Sequence, residues 1–361
     1  MLILTLDAGG TNLVFNYVDN GIVGKNSTIL ETKSNSLDTL IDKIISGFEK
    51  VKSTLNSKID AISFCFPGPA DYKNGVIGNL ENLPYFRGGV PLASIIENSF
   101  NVPTYINNDG DMFALGEFNY GFLSRVNSDL EKNGSNLKYS NLLGVTLGTG
   151  FGGGIVLEGK VLFGSNSAGG EINRMRSYYY PNRSCEEVIS KRGLINIFKE
   201  LSGSDKSELS PKIISEYART EYSEYRDAAV ETFNIFGNEV GNILANSLTL
   251  LDSPVVIGGG ISNAKDLLID PIIKALNNKF SSSNCDGVDR MEIKAVNYED
   301  PIEREKFLSA KPKSIKVPNS DKYTFYNNNK VIPIGFKSFS TSKSIALGCY
   351  NFAIHKKNIC S

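Results

Sequence analysis

The residues best suited to chemistry come almost at once. Asp7-Ala8-Gly9-Gly10-Thr11-Asn12 follows an apolar run, Leu2-Ile3-Leu4-Thr5-Leu6, which the pattern predicts as a buried strand. Two adjacent glycines let backbone N–H groups approach an oxyanion with no side chain in the way. The Thr11 hydroxyl adds a donor, and the Asp7 carboxylate can hold Mg²⁺ directly or through water. Leu13-Val14-Phe15 then leaves the turn as another strand, so the unit is strand, phosphate-cradling turn, strand. A P-loop would lead into a helix and carry Gly-Lys-Ser/Thr, and no such tripeptide occurs in the chain. An ordinary hairpin turn would use the same residue types, so this loop alone favours phosphate only modestly.

A second loop of the same kind strengthens the case. Leu142 to Leu147 reads as a strand, Gly148-Thr149-Gly150-Phe151-Gly152-Gly153-Gly154 follows, and Ile155-Val156-Leu157 resumes as a strand. Two such units about 140 residues apart predict two related lobes facing one nucleotide. Gly148, Gly150 and Gly153 also fit G-x-G-x-x-G, with Glu171 about 20 residues on. That fingerprint must open a helix whose N-terminus holds a pyrophosphate, and here a hairpin follows instead. A third run, Gly258-Gly259-Gly260, ends the strand Val255-Val256-Ile257 and precedes a predicted helix from about Asn263 to Asn278. It suits the nucleoside or α-phosphate end of ATP. A tight strand-to-helix turn needed only for packing explains it equally well.

Together the three runs resemble the sugar-kinase, heat-shock-chaperone and actin superfamily, and within it the ROK family of bacterial sugar kinases. The resemblance extends over roughly residues 1–300 and the last twenty. Phe66-Pro67-Gly68-Pro69-Ala70 and Asn82-Leu83-Pro84 look like its sugar-binding stretch. Asn107-Asn108-Asp109-Gly110-Asp111 is similar to its catalytic segment, and Ala168-Gly169-Gly170-Glu171 to its second sugar-contacting segment. The resemblance implies an α/β, two-lobed actin-like ATPase (ribonuclease H-like) fold with its active site in the cleft between lobes. It implies ATP and Mg²⁺ as cofactors and a hexose or N-acetylhexosamine as phosphoryl acceptor. Phosphate and nucleotide contacts would come from Asp7, Gly9, Gly10, Thr11, Asn12, Gly148, Thr149, Gly150, Gly258, Gly259 and Gly260. Sugar contacts would come from Gly68, Asn82, Asn108, Glu171 and Glu187. Homodimeric assembly belongs to the same expectation.

Phosphoryl transfer asks for positioning, charge stabilisation and a base for the attacking hydroxyl. Asp109 stands where a strand ends and a helix begins, and its carboxylate can accept that proton. The plain alternative is a helix N-cap, for which Asp is favoured. Asp111 is the other candidate base, on a different face of the helix.

Two departures from the family pattern stand out. A Gly-His pair is usual after the Glu, and here Asn173 and Arg174 take its place. The family's cysteine-rich zinc loop is reduced to Ser184-Cys185-Glu186-Glu187. Structural zinc needs four Cys- or His-type ligands close together, so no zinc is expected. Arg174 can bind an acidic or N-acetylated substrate or pair with Glu171 or Glu187, and the pairing is the favoured expectation, in place of the lost metal staple.

The elements that must position these residues divide into a first lobe, 1–120 with 341–361, and a second, 121–340. Strands are predicted near 2–6, 12–18, 21–30, 60–66 and 103–107, and helices near 37–51, 92–99 and 109–121. Residues 127–140 read as a polar loop crossing between lobes, 141–163 as a hairpin of the second lobe, and 222–251 as its longest helix. Residues 297–340 look like an insertion, and a closing helix returns after it to the first lobe.

The chain's 361 residues suffice for about two domains. Formal net charge is −1, from 38 basic and 39 acidic residues, which gives no reason to expect nucleic acid or an anionic membrane as partner. Five scattered cysteines suit a reducing cytosol, and no run approaches the ~18 apolar residues of a membrane helix. The strand beginning at Leu2 predicts neither a signal peptide nor a winged-helix domain ahead of it, and the expected location is cytoplasmic.

Overall fold

The computed structural model describes residues 1–80, 83–281, 287–327 and 330–360. The chain divides into two compact units. The first combines Met1–Gly121, Gly153–Gly170 and Lys337–Ser361, and the second Phe122–Gly152 and Glu171–Phe336. Residues 153–170, expected in the second lobe, belong to the first unit.

A mixed sheet forms the first unit. Its order is Ile22–Val23, Asn12–Asp19, Leu2–Ala8, Ala61–Cys65, Thr104–Asn107, with Thr28–Glu31 also on Asn12–Asp19. The last three strands of that order are parallel. Their register pairs Asp7 with Cys65 and Cys65 with Asn107, so three strands end in one row. In sheets of this kind the carboxyl ends of parallel strands are where ligands bind.

One face of this sheet is covered by the helix Leu37–Ser53, whose Leu40, Ile44, Phe48 and Val51 are buried at helical spacing. Ser36 caps it, accepting the Thr39 N–H at 3.1 Å. Phe48 meets Phe15, Phe64 and Phe100 edge-on at 5.1, 5.7 and 6.0 Å. Truncating such a ring to Ala costs about 3–5 kcal/mol. The closing helix Thr341–Cys360 packs Ala346, Leu347, Tyr350 and Ala353 against Ile3, Val18 and Ala61. It crosses the helix Asp109–Asn119 at a backbone approach that only glycine allows. A Cβ on Gly116 would strike the Ser344 carbonyl, and one on Gly348 the Met112 carbonyl. Buried Glu117 ties the crossing, accepting the Ser344 hydroxyl at 2.6 Å and the Ser338 N–H at 3.1 Å.

The second unit holds four parallel strands in the order Leu142–Leu147, Val255–Gly258, Val331–Phe336, Lys294–Asn297. The long helix Arg226–Leu251 packs on Lys265–Leu276, with Gly237 facing Pro271 and Gly241 facing Ala275. Two expectations change here. Residues 127–132 are not loop but the end of a helix, Phe122–Lys132, whose Phe122, Leu123, Val126 and Leu130 are buried among polar neighbours that mask the stripe. Residues 297–340 are not one insertion, because Val331–Phe336 runs between two strands of the sheet and is buried from Ile332 on. Within this stretch the paired strands Lys313–Lys316 and Tyr323–Tyr326 stand exposed at every residue.

Candidate active site

Asp7 is the next-to-last residue of the first strand, and its Oδ2 accepts the Ser342 hydroxyl at 2.7 Å. Desolvation pushes its carboxyl above the usual value, the Ser342 bond opposes the rise, and the charge of Asp109 adds to it. The two carboxylates are therefore near enough to repel.

Asp109 is the first residue of its helix, but it is not the cap. Asn108 is, its Oδ1 accepting the Gly110 N–H at 2.8 Å and the Asp111 N–H at 3.4 Å. The capping role weighed for Asp109 thus falls to its neighbour, although Asp109 Oδ1 also accepts the Gly110 N–H at 2.9 Å. Asp109 is exposed, whereas Asp111 is only 4% exposed, so a substrate hydroxyl can reach the former. Desolvation raises the Asp109 carboxyl, opposed by the backbone N–H groups of Gly110 and of Asp109 itself. Its open surface keeps the carboxylate oxygens hydrated and limits that rise. A base pushed up towards neutral pH accepts a proton more readily.

The Asn108 side chain also bonds the Tyr72 phenol, whose hydroxyl donates to the Phe66 carbonyl at 3.0 Å. A Cβ on Gly68 would stand 3.1 Å from that phenol oxygen. Two residues expected at the sugar, Gly68 and Asn108, are thus joined through Tyr72, for which the sequence carries no signal. Asn82 lies outside the described residues.

In the first loop the Gly9 N–H bonds the Asn12 carbonyl at 2.9 Å. Thr32, buried and unforeseen, holds the loop from behind. Its hydroxyl donates to the Gly9 carbonyl at 2.7 Å and its N–H to the Thr11 carbonyl at 2.9 Å. Neither Gly9 nor Gly10 adopts a left-handed φ, and a Cβ on Gly10 would meet no atom within 4 Å. Turn geometry therefore does not require glycine at position 10, and the space beside it is open.

In the second unit the Gly148 N–H bonds the Gly150 carbonyl at 3.0 Å, and Lys191 N–H holds the Gly148 carbonyl at 2.9 Å. Glu186 Oε2 accepts the Phe151 N–H at 3.0 Å, and a Cβ on Gly150 would lie 2.7 Å from the same oxygen. Glu186 was not foreseen, and it gives Gly150 a reason of its own to be glycine. Thr149 is exposed between them. At the third run Gly259 has φ +86°, and a Cβ there would strike the Leu147 backbone, so packing accounts for that glycine. Gly258 ends its strand, and nothing stands within 4 Å of a Cβ on Gly260. The expected helix start is a 3-10 turn, Ile261–Ala264, before the helix proper at Lys265.

Glu171 and Arg174 are both exposed. Glu187 pairs with Arg192 at 2.6 Å, at the start of the next helix, five residues away in sequence. Arg174 pairs with neither Glu171 nor Glu187, contrary to expectation, because Arg192 already occupies Glu187 at short range. Both partners of that pair are partly exposed, so it contributes at most about 1 kcal/mol.

The donor set fits Mg²⁺: two neighbouring carboxylates that repel each other are what a hard divalent cation relieves. Among the described residues no group of three or more His, Cys, Asp or Glu side chains is gathered to hold a metal ion. Cys185 donates its thiol instead to the carbonyls of Ile172 and Asn173, at 3.3 and 3.4 Å. No helix among the described residues is long and apolar enough to cross a membrane.

Comparison with known proteins adds four findings. The family model described as ROK family matches residues 3–300. The crystal structure of a glucokinase from Parabacteroides distasonis superposes with TM-score 0.88 at 37% identity, covering 98% of this chain and 97% of that one. An N-acetyl-D-glucosamine kinase of Mannheimia succiniciproducens is 26% identical over 291 residues, 75% of this chain and 87% of that protein. A xylose repressor of Caldicellulosiruptor bescii is 27% identical over 271 residues, 70% of this chain and 63% of the repressor. The mixed α/β architecture is the actin-like ATPase fold of these sugar kinases.

Proposed function

This chain belongs to the ROK family, and from that premise we propose that it transfers the γ-phosphoryl group of ATP to a hydroxyl of a hexose or N-acetylhexosamine. The observation that supports the reading is the placement of Asp7 and Asp109 at the carboxyl ends of parallel strands, Asp7 held by Ser342 and Asp109 exposed in the first turn of its helix.

Asp109 accepts the proton of the sugar hydroxyl as its oxygen bonds to the γ-phosphorus and the bond to ADP breaks. Asn108 holds the first turn beneath it by capping Gly110 and Asp111. Asp7, kept in place by Ser342, would hold Mg²⁺, which when bound supplies charge neutralisation at the phosphates. The loop Gly9 to Asn12 offers N–H groups to the phosphates, with Gly148, Thr149 and Gly150, and Gly258 to Gly260, as further nucleotide contacts. Gly68, Asn82, Asn108, Glu171 and Glu187 contact the sugar, whose hydroxyls donate and accept at once. The protein works as a cytoplasmic homodimer on these small molecules.

The test is ATP consumption, read by a coupled assay, across glucose, fructose, mannose and the N-acetylhexosamines. A thermal-shift screen of the same sugars, with and without a non-hydrolysable ATP analogue, accompanies it. Sugar-dependent turnover supports the kinase. Sugar binding with no turnover for any of them replaces it with a sugar sensor, the function class of the repressor relative.

A further inference from the structure

Glu239 lies midway along the helix Arg226–Leu251 and is 2% exposed. A carboxylate buried so deeply is costly unless its lone pairs are filled. They are filled from outside the helix. Oε1 and Oε2 accept the Tyr178 N–H at 2.9 and 3.1 Å, Oε2 accepts the Tyr179 N–H at 3.1 Å, and Ser177 adds its hydroxyl. Charge-assisted bonds of this kind are roughly twice as strong as neutral ones.

All three donors sit in the segment between Glu171 and Glu187. The tyrosine side chains add only exposed ties, the Tyr178 hydroxyl to Asn246 and Arg290 at 3.3 Å and the Tyr180 hydroxyl to Glu200 at 2.8 Å, and Tyr178 is 49% and Tyr179 39% exposed. At its far end Glu186 accepts the Phe151 N–H and Glu187 pairs with Arg192, and further ties are internal. Cys185 N–H bonds the Met175 carbonyl at 2.8 Å, and the Cys185 thiol bonds the carbonyls of Ile172 and Asn173. Burial first, then the charge of Glu239, pushes that thiol up to about 12.

We infer that Glu239 is a positioning residue, whose carboxylate fixes backbone 177–179 and thereby presents Glu171 and Glu187 to the sugar. The claim about the sugar rests on the kinase reading above. The claim about the backbone does not.

Full-length Glu239→Gln and Glu239→Ala test it, with Ser177→Ala as the mildest loss of a donor. Gln keeps the shape but offers an amide nitrogen that cannot accept, leaving an N–H unpaired. Amide hydrogen exchange at Tyr178 and Tyr179 should quicken by about 10-fold or more in both Glu239 variants, and by less in Ser177→Ala. The KM for sugar should rise by roughly 10-fold or more, as a misplaced binding group costs, while the KM for ATP stays within about two-fold. Unchanged exchange in folded variants overturns the proposal. Equal rises in both KM values also overturn it, since they mark general loosening. If Gln and Ala do not fold, Ser177→Ala decides by the same two readings. If the wild type turns over no sugar, the kinase reading fails and the exchange experiment still decides the role of Glu239.

Discussion

Ser342 donates its hydroxyl to Asp7 Oδ2 over 2.7 Å, joining the closing helix to the end of the first strand across 335 positions of sequence. Asp7 is paired across the sheet with Cys65, whose thiol lies 3.6 Å from that of Cys349, two turns further along the same helix. The last helix is therefore part of the machinery that aims Asp7.

Ser342→Ala should weaken the use of MgATP. A hydrogen bond to a charged group contributes about 1.5–3 kcal/mol, so kcat/KM for MgATP should fall roughly 10-fold or more. Ser342→Thr, which keeps the hydroxyl, should restore most of it. An unchanged kcat/KM in Ser342→Ala would show that Asp7 needs no such support.

Asp109→Asn should lower kcat by at least ~10²-fold with little change in sugar affinity, the lower end of a general-base contribution. Asp111→Asn is the control, because Asp111 is buried in the same turn. A dead Asp111→Asn beside an active Asp109→Asn would move the base to Asp111.

The pH dependence follows from the raised carboxyls of Asp7 and Asp109. Asp109 must be unprotonated to act, so kcat should fall on the acid side at a pH above the ordinary Asp value of about 3.9. Stability should run the other way. A carboxyl raised in the folded state holds more protons there than when unfolded, so folding weakens as pH rises through that window. Paired pH profiles of rate and of melting temperature check both signs. A rate limb at the ordinary value would remove the support for a desolvated base.

Gly10→Val should raise the KM for ATP strongly and leave the melting temperature near that of the wild type, because its Cβ points into open space at an unstrained φ. Gly150→Ala should instead lose stability, since its Cβ meets Glu186 Oε2 at 2.7 Å. If Gly10→Val leaves the KM for ATP unchanged in a folded protein, the first loop is not the phosphate cradle.

What the sequence determined by itself was set by local pattern. The strand before Asp7, the strand-to-helix step at Asn108-Asp109 and the glycines of three loops are short-range features. Each is written in consecutive residues as an apolar run, a cap or a turn. The same locality explains the misses at Phe122–Lys132, where polar residues hide a stripe of four buried ones, and at Val331–Phe336, where a short apolar segment in a polar stretch proves internal to its sheet. Tertiary structure alone decided which side chain supports which. Ser342 on Asp7, Tyr72 on Asn108, Glu186 on Phe151, Arg192 rather than Arg174 on Glu187, and Glu239 on Tyr178 and Tyr179 depend on how separate elements pack. A hydrogen bond needs two atoms within about 3 Å, and residue type and spacing along a chain do not specify that distance once folding brings remote segments together.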